Sequence, residues 1–363
     1  MKETEEIKKL KKVPIEYLWE GLVLSDNIYN YNGTVLLIPQ GEVLTKEKLE
    51  RLSKFENVNG YITTCEKSYR TIMEGEATPP DIRQKMYEDY VGYTVLKKDV
   101  DQIFAMTRDA SRINRLATES LIEGVFSKIN EANSTHIFQC IGAPRKMDER
   151  LQRHSLSVAF FNGLMGQWLD LSEEQIKMLV CAGLVHDIGK TKIPEEILYA
   201  PRKLTEEEYE VMKQHPVFSY ELLWEGVEEE IRQAVRHHHE KLDGSGYPDG
   251  ISGEEISLLA RITSITDVYD AMVSQRDYKA SIIPFDVLEK LQNREFQGLD
   301  EELLTIFIKQ MIAYYKEVRV MMSDGSIGVV KYVPPNDISH PVVQTEQEIK
   351  QTDEEWYCTR IVE

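Results

Sequence analysis

The amino-acid sequence predicts a mainly α protein: an all-α helical domain with a small N-terminal α+β module and a short C-terminal β extension. Three observations carry this. From about residue 136 to 317 apolar residues recur at three- and four-residue spacing, with two capping-box signatures inside the stretch. Short apolar runs bounded by Asn-Gly pairs precede that stretch, and strict alternation follows it. At 363 residues and 42% hydrophobic content, the chain is long enough for two domains and a sizeable core.

Residues 1–80 read as a small accessory ββαβ module of regulatory type. An apolar run at Leu22–Ile28, a turn at Asn32-Gly33 and a second run at Val35–Ile38 form its first half. Thr45 then opens a short helix carrying Leu49 and Leu52, and Asn59-Gly60 precedes a third run, Tyr61–Thr64. Two prolines interrupt Glu74–Asp81, which reads as a linker, and residues 81–135 read as a helical connector. In the main domain, 136–317, Ser172 with Gln175 and Thr205 with Glu208 mark helix starts, and Leu171 with Ile176 adds a hydrophobic staple. Past Tyr315 the period becomes two: Val318, Val320 and Met322 alternate, Asp324-Gly325 offers a hairpin turn, and Ile327 and Val329 follow. Pro334-Pro335 ends that pattern, so residues 318–363 read as a small β extension.

Composition excludes several function classes. A formal charge of −19 leaves no basic excess to replace phosphate counterions, so a nucleic-acid polymer is not an expected partner. No apolar run approaches the roughly 20 residues that span a bilayer, and MKETEEIKKLKK lacks the apolar core of a secretion signal. The expectation is a cytoplasmic protein without a membrane partner. Cys65, Cys140, Cys181 and Cys358 are scattered, which indicates neither a disulfide framework nor a cysteine zinc site.

Histidines and aspartates in the helical domain need explaining. His154 shares a stripe with Leu151, Val158, Phe161, Met165 and Trp168, so it points inward, either as a core histidine with one hydrogen bond or as a ligand. His186-Asp187 follows the stripe Ile176, Leu179, Val180, Leu184, where Gly189 can end the helix. Asp267 lies in a helix that buries Leu259, Ile262, Ile265 and Tyr269, and its helical neighbours are small or acidic: Thr263, Ser264, Asp270 and Ala271. Facing outward, Asp267 needs nothing; facing inward without a basic partner, it calls for a metal ion.

Of the three adjacent histidines, His238 and His239 share the face of Ile231, Ala234 and Val235, while His237 is rotated about 100° away and reads as peripheral. His215, before Pro216, falls where the helix begun near Thr205 should end. Together His154, His186, Asp187, His215, His238, His239 and Asp267 supply five imidazoles and two carboxylates. That set suits iron, manganese or zinc and exceeds what one open metal site needs, so a two-metal centre is the economical reading.

These residues resemble the HD-GYP family of phosphodiesterases, a branch of the metal-dependent HD phosphohydrolases. The likeness covers roughly residues 145–300: HSLSVA from His154, HDIGK from His186 to Lys190, IPEEIL, His215-Pro216, HHEKLDGSGYP from His238 to Pro248, ARITSITDVYDAM around Asp267, and RDYK from Arg276 to Lys279. The resemblance implies that the seven residues are metal ligands with Asp187 bridging two ions, usually iron, with manganese a recurrent substitute. It implies cyclic di-GMP as substrate, or cyclic GMP-AMP in some members. The ion pair activates water for in-line attack on phosphorus.

Asp187 and Lys190 are then the residues of the catalytic step, Lys190 contacting phosphate, and Arg276 and Lys279 are further basic positions near the nucleotide. Gly246, Tyr247 and Pro248 read as a rigid turn at the substrate, glycine permitting unusual dihedrals and Tyr247 binding or shaping rather than moving protons. For Gly246 and Pro248 a turn packed on the domain's own helices is the alternative.

One departure is informative. Members with three metals carry a glutamate four residues before the first histidine, where this chain has Arg150, whose guanidinium offers no lone pair. Two metals are expected, Asp148 and Glu149 being the nearby acids that could change this, with linear pGpG as the product; onward cleavage to GMP goes with a third metal. The competing reading is a non-catalytic cyclic di-GMP effector, which an intact ligand set disfavours. The N-terminal module resembles accessory modules that contact other signalling proteins, and the helices of 82–133 offer a homodimer surface.

Overall fold

Both capping boxes mark real helix starts. The Ser172 and Thr205 hydroxyls each accept the backbone N–H three residues on, and the side-chain oxygens of Gln175 and Glu208 each accept the cap residue's own N–H. The computed structural model describes residues 80–130, 150–274, 283–346 and 348–361, with scattered positions between 28 and 52. The chain divides into two compact units, Met1–Glu88 and Asp89–Glu363.

In the first unit, strands β1 (Ile28–Tyr29) and β2 (Leu36–Ile38) pair antiparallel, with Ile28 opposite Ile38. Ile28, Leu37, Ile38 and Leu52 are buried. The expected third strand, 61–64, lies outside the described residues, as does most of the expected linker. Helix α1 runs Pro80–Arg108, so the linker as read is too long by two residues: proline is tolerated in a first helical turn, where its missing N–H has no partner to lose.

In the second unit, α1 is followed by α2 (Arg115–Asn130), α3 (Arg150–Trp168), α4 (Glu173–Val185), the single turn α5 (Glu195–Leu198), α6 (Glu206–Met212), α7 (His215–Leu222), α8 (Glu229–His237), α9 (Leu258–Ser274), α10 (Pro284–Gln292) and α11 (Glu301–Tyr315). Helices α3, α4 and α9 pack on one another and bury Leu156, Phe160, Leu164, Leu179, Leu184, Ile262 and Ile265. Fully burying each such side chain contributes roughly 1.5–3 kcal/mol. A polar link runs through this core: Asn162 donates to the Leu179 carbonyl and to Thr263 Oγ1, both at 2.9 Å, and accepts from Thr266 Oγ1 at 2.6 Å. It fixes the mutual register of the three helices.

The C-terminal strands β3 (Arg319–Met322), β4 (Ile327–Tyr332), β5 (Val342–Gln344), β6 (Ile349–Gln351) and β7 (Cys358–Ile361) form one antiparallel sheet in the order β6-β5-β4-β3-β7. Its inner face adds Val320, Met322, Val330 and Val343 to the helical core. The sheet continues past Pro334-Pro335, which end the alternation, through the rest of the expected extension. A bulge between Val330 and Tyr332 brings Tyr332 opposite Val342, and the added strands, of three or four residues, are too short for alternation to register.

Candidate metal centre

Seven side chains converge where α3, α4, α7, α8 and α9 meet. His154 projects from the first half of α3, His186 is the C-cap of α4, and Asp187 follows it. His215 opens α7, correcting its expected place at the end of the preceding helix, because α6 stops at Met212 and Pro216 takes the first turn of the next one. His238 caps the end of α8, His239 is next, and Asp267 lies within α9. Two groups of ligand atoms result, His154, His186 and Asp187 in one, Asp187, His215, His238 and His239 in the other, and Asp187 belongs to both.

Hydrogen bonds at the rim fix what the centre receives. His186, His215 and His238 place Nδ1 at 2.8 Å from the carbonyls of Gly183, Met212 and Val235. A carbonyl only accepts, so Nδ1 of each ring carries a proton, and Nε2 is the nitrogen left to offer a lone pair to a cation. Those lone pairs face acceptors. His215 Nε2 is 3.1 Å from Asp187 Oδ1, His186 Nε2 is 3.5 Å from Asp187 Oδ2, and His215 Nε2 is 3.4 Å from His238 Nε2. Asp187 Oδ1 and His186 Nε2 are buried without a hydrogen-bond partner. Acceptors crowded in this way, out of water, are stabilised by cations between them, and the donor set of imidazole and carboxylate fits a divalent metal.

Asp267 sits between the groups, with Oδ1 2.9 Å from His154 Nε2 and 3.8 Å from His186 Nε2, and Oδ2 3.8 Å from His239 Nδ1. It faces inward, deciding between the two sequence alternatives.

Burial opposes the charge on Asp187, yet the Lys190 ammonium beside it, foremost among its neighbours, holds its carboxyl well below the usual range. Burial pushes the imidazoles of His215, His238 and His239 down, His239 to about 3, so they stay neutral and ready to ligate. His154 goes the other way: burial would lower it, but bonds to Asp267 and Asp270 raise it to about 9.

Lys190 Nζ lies 2.6 Å from Asp187 Oδ2. Gly189 contributes by absence rather than by ending a helix as expected. The chain continues into a 3-10 turn, Ile188–Lys192, and a Cβ on Gly189 would lie 2.1 Å from the His215 carbonyl oxygen. Gly246 likewise has no left-handed backbone; a Cβ there would lie 2.4 Å from Glu240 Cα, so close approach requires the glycine. Tyr247, joined to Pro248 by a cis peptide bond, stacks on His239 at 4.7 Å, and burial pushes its phenol up, so its hydroxyl keeps its proton. His237 points away from the centre, but it is buried rather than peripheral, with Nε2 2.8 Å from Asp249. Arg276, Lys279, Asp148 and Glu149 lie outside the described residues, and the side chain of Arg150 is likewise not described.

Sequence reasoning passed over several residues that hold this site. Asp270, one helical turn beyond Asp267, binds His154 Nδ1 at 2.7 Å, a placement its i+3 spacing could have revealed. Glu240 is buried beside His239 and accepts the Asp249 and Gly250 N–H groups at 2.6 and 2.9 Å, pinning the glycine-rich loop. Ser219 Oγ donates to the His186 carbonyl at 2.6 Å and accepts the Gly189 N–H at 2.8 Å. Lys192 Nζ reaches the carbonyls of Thr107, Arg108 and Ala110, tying the end of α1 to the turn after Asp187. No local pattern announces these last two.

A helical domain that gathers histidines and aspartates around a shared carboxylate defines a class of divalent-metal-binding domain. The family described as HD domain matches residues 141–303. This chain thus carries an HD domain, with HDIGK, HHE and GYP segments gathered in that one site. The cyclic di-GMP phosphodiesterase response regulator RpfG of Xanthomonas campestris pv. campestris is 48% identical over 121 residues, 32% of this chain and 32% of its own length. The 3'3'-cGAMP-specific phosphodiesterase 1 of Vibrio cholerae is 37% identical over 166 residues, 45% of this chain and 38% of its own length. The chain therefore spans less than half the length of these curated relatives. Among solved structures, Bd1817, a HDG"Y"P protein from Bdellovibrio bacteriovorus, aligns with a TM-score of 0.53 at 15% identity, covering 83% of this chain and 98% of that one, a likeness of fold. Among the described residues no helix is long and apolar enough to cross a membrane.

Proposed function

We propose that this chain is a two-metal phosphodiesterase that hydrolyses cyclic di-GMP to linear pGpG. The observation that carries the proposal is Asp187, whose carboxylate belongs to two groups of ligand atoms at once and faces histidine lone pairs. His154, His186 and Asp187 would hold one ion, and Asp187, His215, His238 and His239 the other, with Asp267 between them. Two ions, iron or manganese, supply the Lewis acidity that makes water nucleophilic at neutral pH and offset the charge of a phosphodiester.

The chain's own residues do the rest. The carbonyls of Gly183, Met212 and Val235 hold three imidazoles in the ligating tautomer before any ion arrives. Lys190, only partly buried, places a cation beside Asp187 where a phosphate oxygen would sit, and it offers a donor to that oxygen as charge builds. Tyr247, flat on His239, gives the mouth a ring face and a neutral hydroxyl donor for a base and its ribose. Arg276 and Lys279 are proposed as further contacts to the nucleotide. The domain plan read from the sequence, a cytoplasmic location, a partner for residues 1–80 and a homodimer belong to the same proposal.

The relative from Vibrio cholerae supports a second substrate, cyclic GMP-AMP, on the same site. Purified protein loaded with Fe2+ or Mn2+ is incubated with each cyclic dinucleotide and the products are separated by chromatography. Turnover of cyclic di-GMP to pGpG is the expected result. Turnover of cyclic GMP-AMP alone reassigns the substrate, and binding without turnover of either makes the chain an effector.

A further inference from the structure

The five histidines at the centre differ in how their rings are held. His186 and His238 sit at the ends of helices and His215 just past one, where carbonyls three residues back lack intrahelical partners and accept the Nδ1 proton. His154 lies inside α3, where the backbone carbonyls are engaged in the helix. Its orienting acceptor has to come from another element. That acceptor is Asp270 on α9, 1% exposed, with Oδ2 2.7 Å from His154 Nδ1, while the opposite ring nitrogen is 2.9 Å from Asp267.

We propose that Asp270 is a positioning residue for one of the two metals: by holding the His154 proton on Nδ1, it leaves Nε2 free to ligate and makes the His154 side of the centre dependent on a carboxylate. The inference rests on the two-metal reading above. The competition is local and has a definite sign. Asp267 and Asp270 both accept, so without an ion the ring can carry a proton on each nitrogen; the ligating ring is neutral and has one proton to give. With Asp270 present, that proton stays at Nδ1 and Nε2 faces the centre. Without it, the proton is drawn to Nε2 by Asp267, and the lone pair turns to a site that holds no ion. A carboxylate behind an imidazole also makes the ring a stronger donor to metal than a carbonyl does, and loss of such an outer partner costs roughly 10–100-fold in metal affinity. Asp267 and Asp270 are one turn apart, so a single stretch of α9 carries a ligand and the group that orients another.

The test compares wild type, Asp270→Asn and Asp270→Ala, each loaded with Mn2+ and dialysed against graded chelator, with metal per chain read by elemental analysis and folding by circular dichroism. Asp270→Ala is expected to release one ion at roughly 10–100-fold lower chelator than wild type while keeping the other. Asp270→Asn, whose amide oxygen still accepts the Nδ1 proton, is expected to fall between. Retention of both ions as in wild type, or loss of both together, overturns the proposal. Should Asp270→Ala fail to fold, Asp270→Asn decides by the same criterion. Wild type that binds no Mn2+ is a different result and overturns the two-metal reading itself.

Discussion

The helical centre and the C-terminal sheet belong to one compact unit but handle polarity in opposite ways. Around Asp187 the centre buries carboxylates and imidazoles, an arrangement that costs folding free energy unless cations offset it. The sheet sends Val320, Met322, Val330 and Val343 inward, and its edge strand β6 is exposed at all three residues. The difference teaches where function and stability separate: changes at the centre should act on chemistry first, and changes in the sheet on folding first.

The largest effect expected is at Asp187. Replacing it with alanine removes the group common to both ligand sets, and the loss of several kcal/mol of metal-derived stabilisation lowers turnover by roughly 10³-fold or more. Comparing metal-free proteins by thermal melting should show only a small change, because a buried charge leaves with its partners' constraint. A steep fall in the melting temperature with turnover per folded molecule preserved would erase the division between the two regions. Met322→Ala is the converse change. Met322 is 1% exposed under the sheet, so its truncation should cost roughly 2–5 kcal/mol by denaturant titration, with kcat unchanged in the folded fraction.

Ser219→Ala sharpens the comparison by placing a stability effect inside the centre. Its hydroxyl closes the turn that carries Asp187, and without it the buried Gly189 N–H loses its acceptor. The expected cost is about 1–3 kcal/mol. Unlike Met322→Ala, this variant should also bind metal more weakly, since the His186-Asp187 turn is no longer strapped to α7; a metal titration showing wild-type affinity would confine Ser219 to folding.

How far each region was legible in the sequence follows from the same contrast. His154, His238 and Asp267 stood out because a polar residue on an apolar helical stripe breaks a period that many neighbours establish. The helix starts were legible because capping is local chemistry, as at Ser172 and Thr205. The groups that aim the ligands were not legible in that way. Asn162, Ser219 and Lys192 act across 17 to 104 positions in sequence, and nothing near them signals the partner. His237 was misjudged because helical phase fixes direction but not cover: the loop that returns Asp249 buries it. In the sheet, the β3–β4 hairpin announced itself through alternation and Asp324-Gly325, whereas β5, β6 and β7 are too short to do so.

That returning loop supplies the smallest effect. Asp249 receives two bonds from Arg236, at 2.6 and 2.7 Å, and one from His237. The Arg236 bonds, against a weaker effect of burial, hold its carboxyl at about 2. A folded-state value below the ordinary one stabilises the protein wherever the carboxylate is ionised in both states, above about 4, and that contribution disappears as pH falls toward 2. The side chain is a third exposed, so solvent screening keeps the gain small. Wild type should therefore unfold at slightly higher urea than Asp249→Asn at pH 7, and the gap should narrow between pH 4 and pH 3. A gap that stays constant over that interval would show that Asp249 acts by covering His237 rather than by its charge, which would move the glycine-rich loop from the electrostatic side of the comparison to the packing side.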